Sequence, residues 1–289
     1  MAACAIWGLS PLFYRELNHV DPLIIMAYRV LWAMFFLTLF IVFTGKLTGI
    51  FSLLRNFRVS FLLACASLMI GINQFGFIYS ISVKQVIQAS FAYYIFPLIA
   101  VFLGFIFLKE KFSMLQLIAL LLAFLAVIFL AKGLGSIPYI SVLLGVTFGI
   151  YGLIKTYLCL DSLQTVSVEI FLLCPIALSY LFSLGLSSSE MLFQMSRSDF
   201  YMFVMSGLIT AFPLILFSLS TSVLNYSTVG LVNYLNPTLQ FLVAVVIFSE
   251  PFTFTHGFSF GLIWISLFFY SFDAIREELF KSKKISSTE

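Results

Sequence analysis

Apolar blocks of roughly twenty residues, separated by short polar breaks, make up most of this chain. A helix of about 20 residues is long enough to cross the hydrocarbon core of a bilayer, which is about 30 Å thick. The composition agrees, because the 289 residues are 62% hydrophobic and only 9% charged, against about 25% charged in a soluble domain. The alternating ten-residue segments of an outer-membrane barrel are absent. The sequence therefore predicts an all-α integral membrane protein.

We predict ten membrane spans, divided by short breaks rich in Gly, Ser, Lys and Pro. They cover residues 1–15, 22–43, 59–81, 86–108, 114–131, 137–156, 164–185, 200–222, 226–248 and 256–272. The first span reaches only about 21 Å at 1.5 Å per residue, which we interpret as the mark of a missed upstream start codon. The charged stretch 274–289 is predicted to be a cytoplasmic tail with a disordered end.

Lysine and arginine residues are distributed unevenly between the two sides of the predicted bundle. If the N-terminus is inside, the opposite side holds Arg15, Lys84, Lys132 and Arg197. The cytoplasmic breaks and tail then hold Lys46, Arg55, Arg58, Lys109, Lys111, Lys155, Arg276, Lys281, Lys283 and Lys284. This bias agrees with the positive-inside rule, so both termini are expected to be cytoplasmic. The net charge of +3 needs no nucleic-acid partner to explain it.

Two stretches 140 residues apart share residue types in register, namely YYIFPLIAVFLGFIFLKEKFS (93–113) and NYLNPTLQFLVAVVIFSEPFT (233–253). The matched pairs are Tyr94 and Tyr234, Pro97 and Pro237, Glu110 and Glu250, and Phe112 and Phe252. The same offset sets Asp21 against Asp161. Each half then holds five spans, an odd number, so the second half enters the membrane inverted. We therefore predict two inverted repeats, residues 1–132 and 133–273, the plan of many secondary transporters.

The repeated hairpin resembles the EamA repeat of the drug/metabolite transporter superfamily. Longer strings resemble its RarD branch, among them IWGLSPLFY (6–14), YRVLW (28–32), FGIYGLIK (148–155), VEIFLLCPIALSYL (168–181) and GLVNYLNPTLQFLVAVVIFSEPF (230–252). The resemblance covers nearly the whole chain. It implies a ten-helix exporter or exchanger of small organic solutes in a bacterial inner membrane. This chain has Asn233 where the branch usually has Gln.

Arg29 and Glu169 occupy matching positions about eight residues into the second and seventh spans. An ionisable side chain at this depth costs about 2.5–3.5 kcal/mol on insertion scales, so it marks a candidate site. One alternative is that the two are mutual partners and form a structural ion pair. The other is that Arg29 binds a carboxylate or phosphate while Glu169 faces an ammonium group or a proton. A cation and an anion at equivalent places favour a zwitterion such as an amino acid.

Further candidate residues lie in the same spans, and each has a structural alternative. Lys155 could bind solute or extend to the cytoplasmic interface. Mid-span amides either connect helices or contact solute; they are Asn73, Gln74, Asn233 and Asn236. Pro97 and Pro237 are either packing kinks or hinges. Aromatic walls for a solute are a further hypothesis, with the candidates Trp7, Tyr94, Tyr151 and Tyr234.

Glu110 and Glu250 end their spans, and we expect each to cap the helix that follows it. The four cysteines are widely spaced and the only histidines are His19 and His256, so neither a metal nor a cofactor is expected. The sequence has no catalytic motif of a membrane-embedded enzyme, and it lacks the polar stripe that lines a channel, so neither function is favoured. The alternatives left open are S-adenosylmethionine as substrate, protons as coupling ion, and a homodimer.

Overall fold

The described residues of this computed structural model are 1–110, 112–133, 139–184, 196–249 and 253–286. Within these ranges the chain forms twelve α-helices and one π-helical segment, Val243–Ile247. The first six helices are α1 (Ala2–Arg15), α2 (Pro22–Thr44), α3 (Leu47–Arg55), α4 (Phe57–Ser82), α5 (Val86–Leu108) and α6 (Met114–Gly133). The others are α7 (Tyr139–Leu158), α8 (Ser162–Ser183), α9 (Arg197–Val223), α10 (Tyr226–Val232), α11 (Leu235–Leu242) and α12 (Phe254–Ser286).

Eight segments are long and apolar enough to cross a membrane. They are six helices of the first eight (α2 and α4 to α8), α9, and the run 226–247 that joins α10, α11 and the π segment. Helix α1, with 14 residues, and the apolar part of α12, Phe254–Tyr270, are shorter. The predicted all-α membrane class is confirmed, while the total of ten spans stays a prediction.

Helix α3 was not predicted, because its first residues belong to the turn-like string TGKLTG. Its apolar residues at positions 47, 50, 51 and 54 follow helical spacing and share one face. Nine residues are too few to span a bilayer. Asn56 ends α3 and begins α4, because its Oδ1 accepts hydrogen bonds from the amides of Arg58 (3.2 Å) and Val59 (3.3 Å).

Equivalent aspartates begin α2 and α8. Asp21 Oδ1 accepts a hydrogen bond from the Leu23 amide at 2.8 Å, and Asp161 Oδ1 accepts one from the Gln164 amide at 3.1 Å. Such caps satisfy amides that the first turn of a helix leaves without partners. Asp161 also binds Lys46 Nζ at 2.5 Å, so the end of α2 lies beside the start of α8.

The helices enclose two apolar cores. The larger core lies among α1, α2, α4, α5, α7, α8, α9 and α10, and the smaller among α5, α6, α10, α11 and α12. Close crossings depend on small residues: a Cβ on Gly207 of α9 would lie 2.6 Å from the carbonyl carbon of Trp32 in α2. Small residues of this kind let membrane helices approach backbone to backbone.

The two candidate hinge prolines lie in different local structures. Helix α5 continues through Pro97, whereas the equivalent chain breaks between α10 and α11, at Asn233 and Tyr234. Pro237 follows this break in the first turn of α11, where the missing N–H of proline costs no helical hydrogen bond. The hinge roles of both prolines stay predictions.

Glu110 caps a helix, but not the one expected. Its Oε1 accepts a hydrogen bond from the Tyr226 amide at 2.8 Å, and its Oε2 accepts from the Ser227 hydroxyl and amide. It therefore caps α10, which is distant in sequence, while α6 begins with a reciprocal cap between Ser113 and Gln116. The prediction was wrong because sequence order does not reveal which helix end faces a loop. Glu250 lies outside the described residues.

Candidate functional site

Arg29 lies deep in α2 and is only 3% exposed. Its Nε donates a hydrogen bond to Thr210 Oγ1, and its Cζ lies 5.2 Å from the centre of the Tyr14 ring. Thr210 in turn donates to the Ser206 carbonyl at 2.7 Å, which leaves its oxygen free to accept from Arg29. Among the described residues no carboxylate forms an ion pair with Arg29. Its Nη1 is buried and has no hydrogen-bond partner.

This unpaired nitrogen belongs to a residue that lines a small internal cavity of about 20 Å³. Gln74 Oε1 and Gln240 Oε1, also without hydrogen-bond partners, belong to the same lining. The other end of the Gln240 amide is occupied, because its nitrogen donates to Asn236 Oδ1 at 2.9 Å and to the Trp7 carbonyl at 3.4 Å. The hydroxyl of Tyr14, another residue of the lining, is also buried without a partner. Buried polar atoms in proteins are nearly always hydrogen-bonded, so four free ones around one space mark a candidate ligand site.

Aromatic rings form much of the remaining wall of the cavity. Trp7 and Phe148 meet edge to face with ring centroids 5.6 Å apart, and Tyr93 meets Phe148 in the same way at 6.0 Å. Tyr14 and Phe77 complete this aromatic wall. The volume suits about one water molecule, so the site is closed in this state. No three His, Cys, Asp or Glu side chains within the described ranges could hold a metal ion.

Glu169 pairs with Lys155, not with Arg29. The Lys155 ammonium donates to Glu169 Oε1 at 2.7 Å and to Thr165 Oγ1 at 2.5 Å. The Tyr151 hydroxyl donates to Glu169 Oε2 at 3.1 Å. Both charged residues are almost completely buried. This arrangement, which we call the Lys155–Glu169 cluster, overturns two alternatives from the sequence: extension of Lys155 to the interface, and pairing of Arg29 with Glu169.

Antiparallel packing explains why Arg29 and Glu169 do not meet. Met34 of α2 contacts Cys174 of α8, with sulfur atoms 2.9 Å apart, and the end of α2 lies beside the start of α8. Arg29 precedes Met34 by five residues and Glu169 precedes Cys174 by five, so the two charges lie on opposite sides of this contact. At 1.5 Å per residue, they are about 15 Å apart along the helix axes.

Side-chain direction explains why Lys155 does not extend to the interface. Side chains on an α-helix point toward its N-terminus. Near the C-terminal end of α7, Lys155 therefore points back into the membrane, and Glu169 in α8 points toward the turn between the two helices. The two side chains converge because the helices run in opposite directions.

The remaining predicted residues divide between the cavity and other places. Trp7, Asn73 and Gln74 line the cavity. Asn73 has partners, since its nitrogen donates to the Leu144 carbonyl at 2.7 Å and its oxygen accepts from the Tyr93 hydroxyl at 3.3 Å, which links α4 to α7 and α5. The cavity lining does not include Lys155, Tyr94, Asn233, Tyr234, Pro97 or Pro237.

Tyr94 and Tyr234 meet each other in the smaller core instead. Their ring centroids are 6.0 Å apart, and Phe260 of α12 lies 4.9 Å from Tyr94. Asn233 Oδ1 accepts a hydrogen bond from Cys4 Sγ at 3.4 Å, while its Nδ2 is buried without a partner. These two tyrosines, matched in the sequence, lie together at a helix interface, away from the cavity.

Several residues of the site were missed by the sequence reasoning, namely Ser10, Tyr14, Tyr93, Thr210 and Gln240. Gln240 could have been found, because it is an amide at membrane depth like Gln74. Tyr93 was passed over because the repeat directed attention to its neighbour, Tyr94. Tyr14 and Thr210 carry no sequence signal, since aromatic and hydroxyl residues are frequent throughout the chain.

Comparison with known proteins agrees with these observations. The EamA-like transporter family profile matches residues 1–132. The uncharacterized transporter YojE of Bacillus subtilis (strain 168) is 34% identical over 94% of this chain and 91% of its own length. Protein RarD of Escherichia coli (strain K12) is 31% identical over 98% of this chain and 96% of its own length.

The fold has a counterpart among solved structures. A crystal structure of another protein matches the fold of this chain with a TM-score of 0.69 at 14% sequence identity. The match covers 93% of this chain and 94% of the other, and at this identity it concerns the fold alone. From the relatives that share its full length, this chain belongs to the RarD-type branch of the EamA-like, drug/metabolite transporter family.

Proposed function

We propose that this protein is a secondary transporter that moves a small zwitterionic organic solute, such as an amino acid derivative, across the bacterial inner membrane by alternating access. The observation that carries the proposal is the free Nη1 of Arg29 in a cavity with two free amide oxygens. A buried guanidinium without a counter-ion has a strong requirement for an anion. The amide oxygens of Gln74 and Gln240 require N–H donors.

The groups that line the cavity indicate which chemical groups the substrate carries. A carboxylate or phosphate of the solute binds the guanidinium through charge-assisted hydrogen bonds. An ammonium group of the same solute donates to the two amide oxygens, and an apolar or ring-bearing part packs on the aromatic wall. Since the closed cavity holds about one water, the solute enters only when helices separate. Alternating access supplies that separation.

The helix packing supports two inverted five-helix repeats as the moving parts. In the proposed repeat, α1, α4 and α5 correspond to α7, α9 and the α10–α11 pair. When the two halves are exchanged, the α5–α7 contact corresponds to the contact of α10/α11 with α1, and the α4–α7 contact corresponds to the contact of α9 with α1. The α2–α9 contact likewise becomes α8–α4, while α6–α12 and α2–α8 map onto themselves. Positive φ angles at the equivalent Lys109 (55°) and Ser249 (55°) support the same repeat.

Contacts between loops support the proposed alternation of ten spans, and the distribution of Lys and Arg supports cytoplasmic termini. Lys46 binds Asp161, and Glu110 caps α10, so four loops assigned to the cytoplasmic side contact one another in pairs. His19 Nε2 lies 3.3 Å from Asp199 Oδ1 and links two elements assigned to the opposite side. Hydrogen bonds of this kind require both partners on one face.

Coupling is proposed to occur by solute exchange, with proton coupling as the alternative. Glu169 was the candidate proton carrier, but its carboxylate is occupied by Lys155 and Tyr151. Release of a proton-binding Glu169 would therefore require Lys155 to move. Uptake driven by an imposed pH gradient, without solute inside the vesicles, would identify proton coupling.

Transport by purified protein in liposomes tests the proposal. Vesicles loaded with an amino acid mixture should take up labelled amino acids, and S-adenosylmethionine is included as the alternative zwitterion with a flat ring. We expect Arg29→Met to lose uptake and Arg29→Lys to retain part of it, since lysine keeps the charge but not the forked geometry. Arg15→Met is the matched control, because Arg15 is exposed and stacks on Phe248 (4.2 Å to the ring centre).

The outcomes separate the claims. Uptake of simple amino acids alone supports the proposal, and uptake of S-adenosylmethionine alone selects the alternative substrate. Full transport by Arg29→Met would remove Arg29 from the binding site. If the wild-type protein transported neutral or purely cationic solutes in preference to zwitterions, the zwitterion assignment would be overturned.

A further inference from the structure

A second cavity, of about 280 Å³, lies between α2, α3 and α8. Its lining is almost entirely apolar and includes Met34, Leu37, Ile41, Ile50, Leu54 and Phe171. One of its two polar residues, Ser167, already donates its hydroxyl proton to the Leu163 carbonyl at 2.7 Å. Apolar cavities of about 150 Å³ stay free of water and bind small hydrocarbons. This cavity is larger and has room for part of an apolar molecule.

The cavity extends along the C-terminal part of α2 for about 10 Å, at 1.5 Å per residue. On α2 its lining runs from Met34, the thirteenth of 23 helical residues, to Ile41 near the C-terminal end. Helix α3 closes it at that end with its apolar face. The side toward lipid is exposed, since Phe51 is 68% and Phe171 52% accessible. A chain entering from the lipid would lie parallel to α2, with its polar end at α3.

Two arginines lie close in sequence to the cavity-lining residues of α3. Arg55 ends α3 and Arg58 lies in the first turn of α4; both are exposed, and neither forms an ion pair within the described part of the chain. Lys46, at the other end of α3, binds Asp161. A short helix with an apolar face toward the acyl region and basic residues toward water is typical of an interfacial helix. Phosphate groups of anionic lipids are attracted to such residues.

We propose that this cavity holds one acyl chain of an anionic phospholipid, whose phosphate is bound by Arg55 and Arg58. The site is separate from the Arg29 cavity, since the two share no lining residue. The occupant is assigned by three observations: an apolar lining, the run of that lining along the C-terminal part of α2, and two exposed arginines at the end of α3 and the start of α4.

Native mass spectrometry of the purified protein, mixed with phosphatidylglycerol or phosphatidylcholine of the same acyl chains, tests the site. Thr38→Phe and Ser167→Phe place a ring in the cavity, the first from its exposed side. We expect each to lower bound phosphatidylglycerol at least fivefold. The control is Val142→Phe, an exposed position (43%) on α7 outside this cavity.

The arginines are tested separately from the cavity. Arg55→Gln with Arg58→Gln should remove the preference for phosphatidylglycerol over phosphatidylcholine, while Arg197→Gln, an exposed arginine of α9, should leave it unchanged. Equal lipid retention by wild type and both cavity-filling variants would overturn the acyl-chain site. An unchanged preference in the double arginine variant would overturn the phosphate contact. These readouts do not depend on the identity of the transported solute.

Discussion

Arg29 and Lys155 are both buried cations, at 3% and 4% exposure, yet their surroundings differ. Lys155 has a carboxylate and a hydroxyl within hydrogen-bond distance. Arg29 has a hydroxyl and an aromatic ring, with no carboxylate, and one of its nitrogens is free. Under the proposed function, the Lys155–Glu169 cluster stabilises the fold by itself, whereas the transported solute completes the Arg29 site.

The expected free-energy costs at the two sites agree with these different roles. Removal of one partner from a buried ion pair destabilises a protein by about 3–5 kcal/mol, because the other charge is left without compensation. A buried polar group without a hydrogen bond costs about 1–3 kcal/mol, and more if it is charged. The protein tolerates the second cost at Arg29, which is understandable if solute binding offsets it.

The largest expected effect is on stability at the Lys155–Glu169 cluster. Lys155→Met should lower the stability of the purified protein by about 3–5 kcal/mol, because the Glu169 carboxylate loses its counter-ion. The measurement is the apparent Tm in detergent. The double variant Lys155→Met with Glu169→Gln should recover most of the loss. Equal Tm values for the single and double variants would show that the pair does not act as a unit.

Arg29→Met should weaken solute binding and leave the stability of the protein nearly unchanged, in contrast to Lys155→Met. Loss of charge-assisted hydrogen bonds worth about 1.5–3 kcal/mol should weaken solute binding about 10- to 150-fold. The apparent Tm without solute should stay within a few degrees of wild type or rise, since a buried charge is removed. The increase in Tm that a bound solute gives to wild type should disappear. A large drop in Tm without solute would place Arg29 with Lys155 as a structural residue.

The two mid-span amides of α4 offer a smaller version of the same comparison. Gln74→Leu should raise the KM for uptake several-fold and leave stability nearly unchanged, because its Oε1 has no partner in the protein and one hydrogen bond is worth about 1 kcal/mol. Asn73→Leu should instead lower the Tm, since Asn73 holds the Leu144 carbonyl and Tyr93. Equal effects of both variants on KM would contradict this separation.

The smallest effect is expected at the exposed pair Lys46–Asp161, which has the chemistry of the buried pair without its burial. Partial burial raises the pKa of Asp161, but the hydrogen bond from Lys46 and the amides of Gln164 and Leu163 outweigh it and hold the pKa below its ordinary value. Exposed pairs contribute about 0–1 kcal/mol. A lowered pKa means that this contribution is present above the unfolded value of about 3.9 and is lost as the pH falls through the folded value.

The Tm difference between wild type and Asp161→Asn, measured from neutral pH downward, checks this sign. The difference should be small at neutral pH and vanish in strong acid. A difference that grows as the pH falls would reverse the assignment. At neutral pH, a loss as large as that of Lys155→Met would show that burial does not distinguish the two pairs.

Four residues that line the cavity, Trp7, Arg29, Asn73 and Gln74, were named from the sequence, but the partners of the charged residues could not be predicted. Arg29 and Glu169 were found because a charge in hydrocarbon is costly wherever it lies in the sequence. Their partners depended on geometry: Thr210 lies 181 residues from Arg29, and the sequence left Lys155 open between solute binding and the interface, without pointing to Glu169 as its partner. Tyr94 and Tyr234 were matched correctly as a pair, yet they meet in a helix interface and not in the cavity.

The sequence by itself determined the class of the protein and its repeated order of residues. The reason is that long apolar runs cross hydrocarbon as helices, which satisfy their own backbone hydrogen bonds, and that residue types matched at a constant offset can be read directly from the sequence. Only the tertiary structure decided which charges are paired and which is free. That choice depends on depth, helix direction and side-chain reach, and these exist only after antiparallel helices such as α2 and α8 have packed.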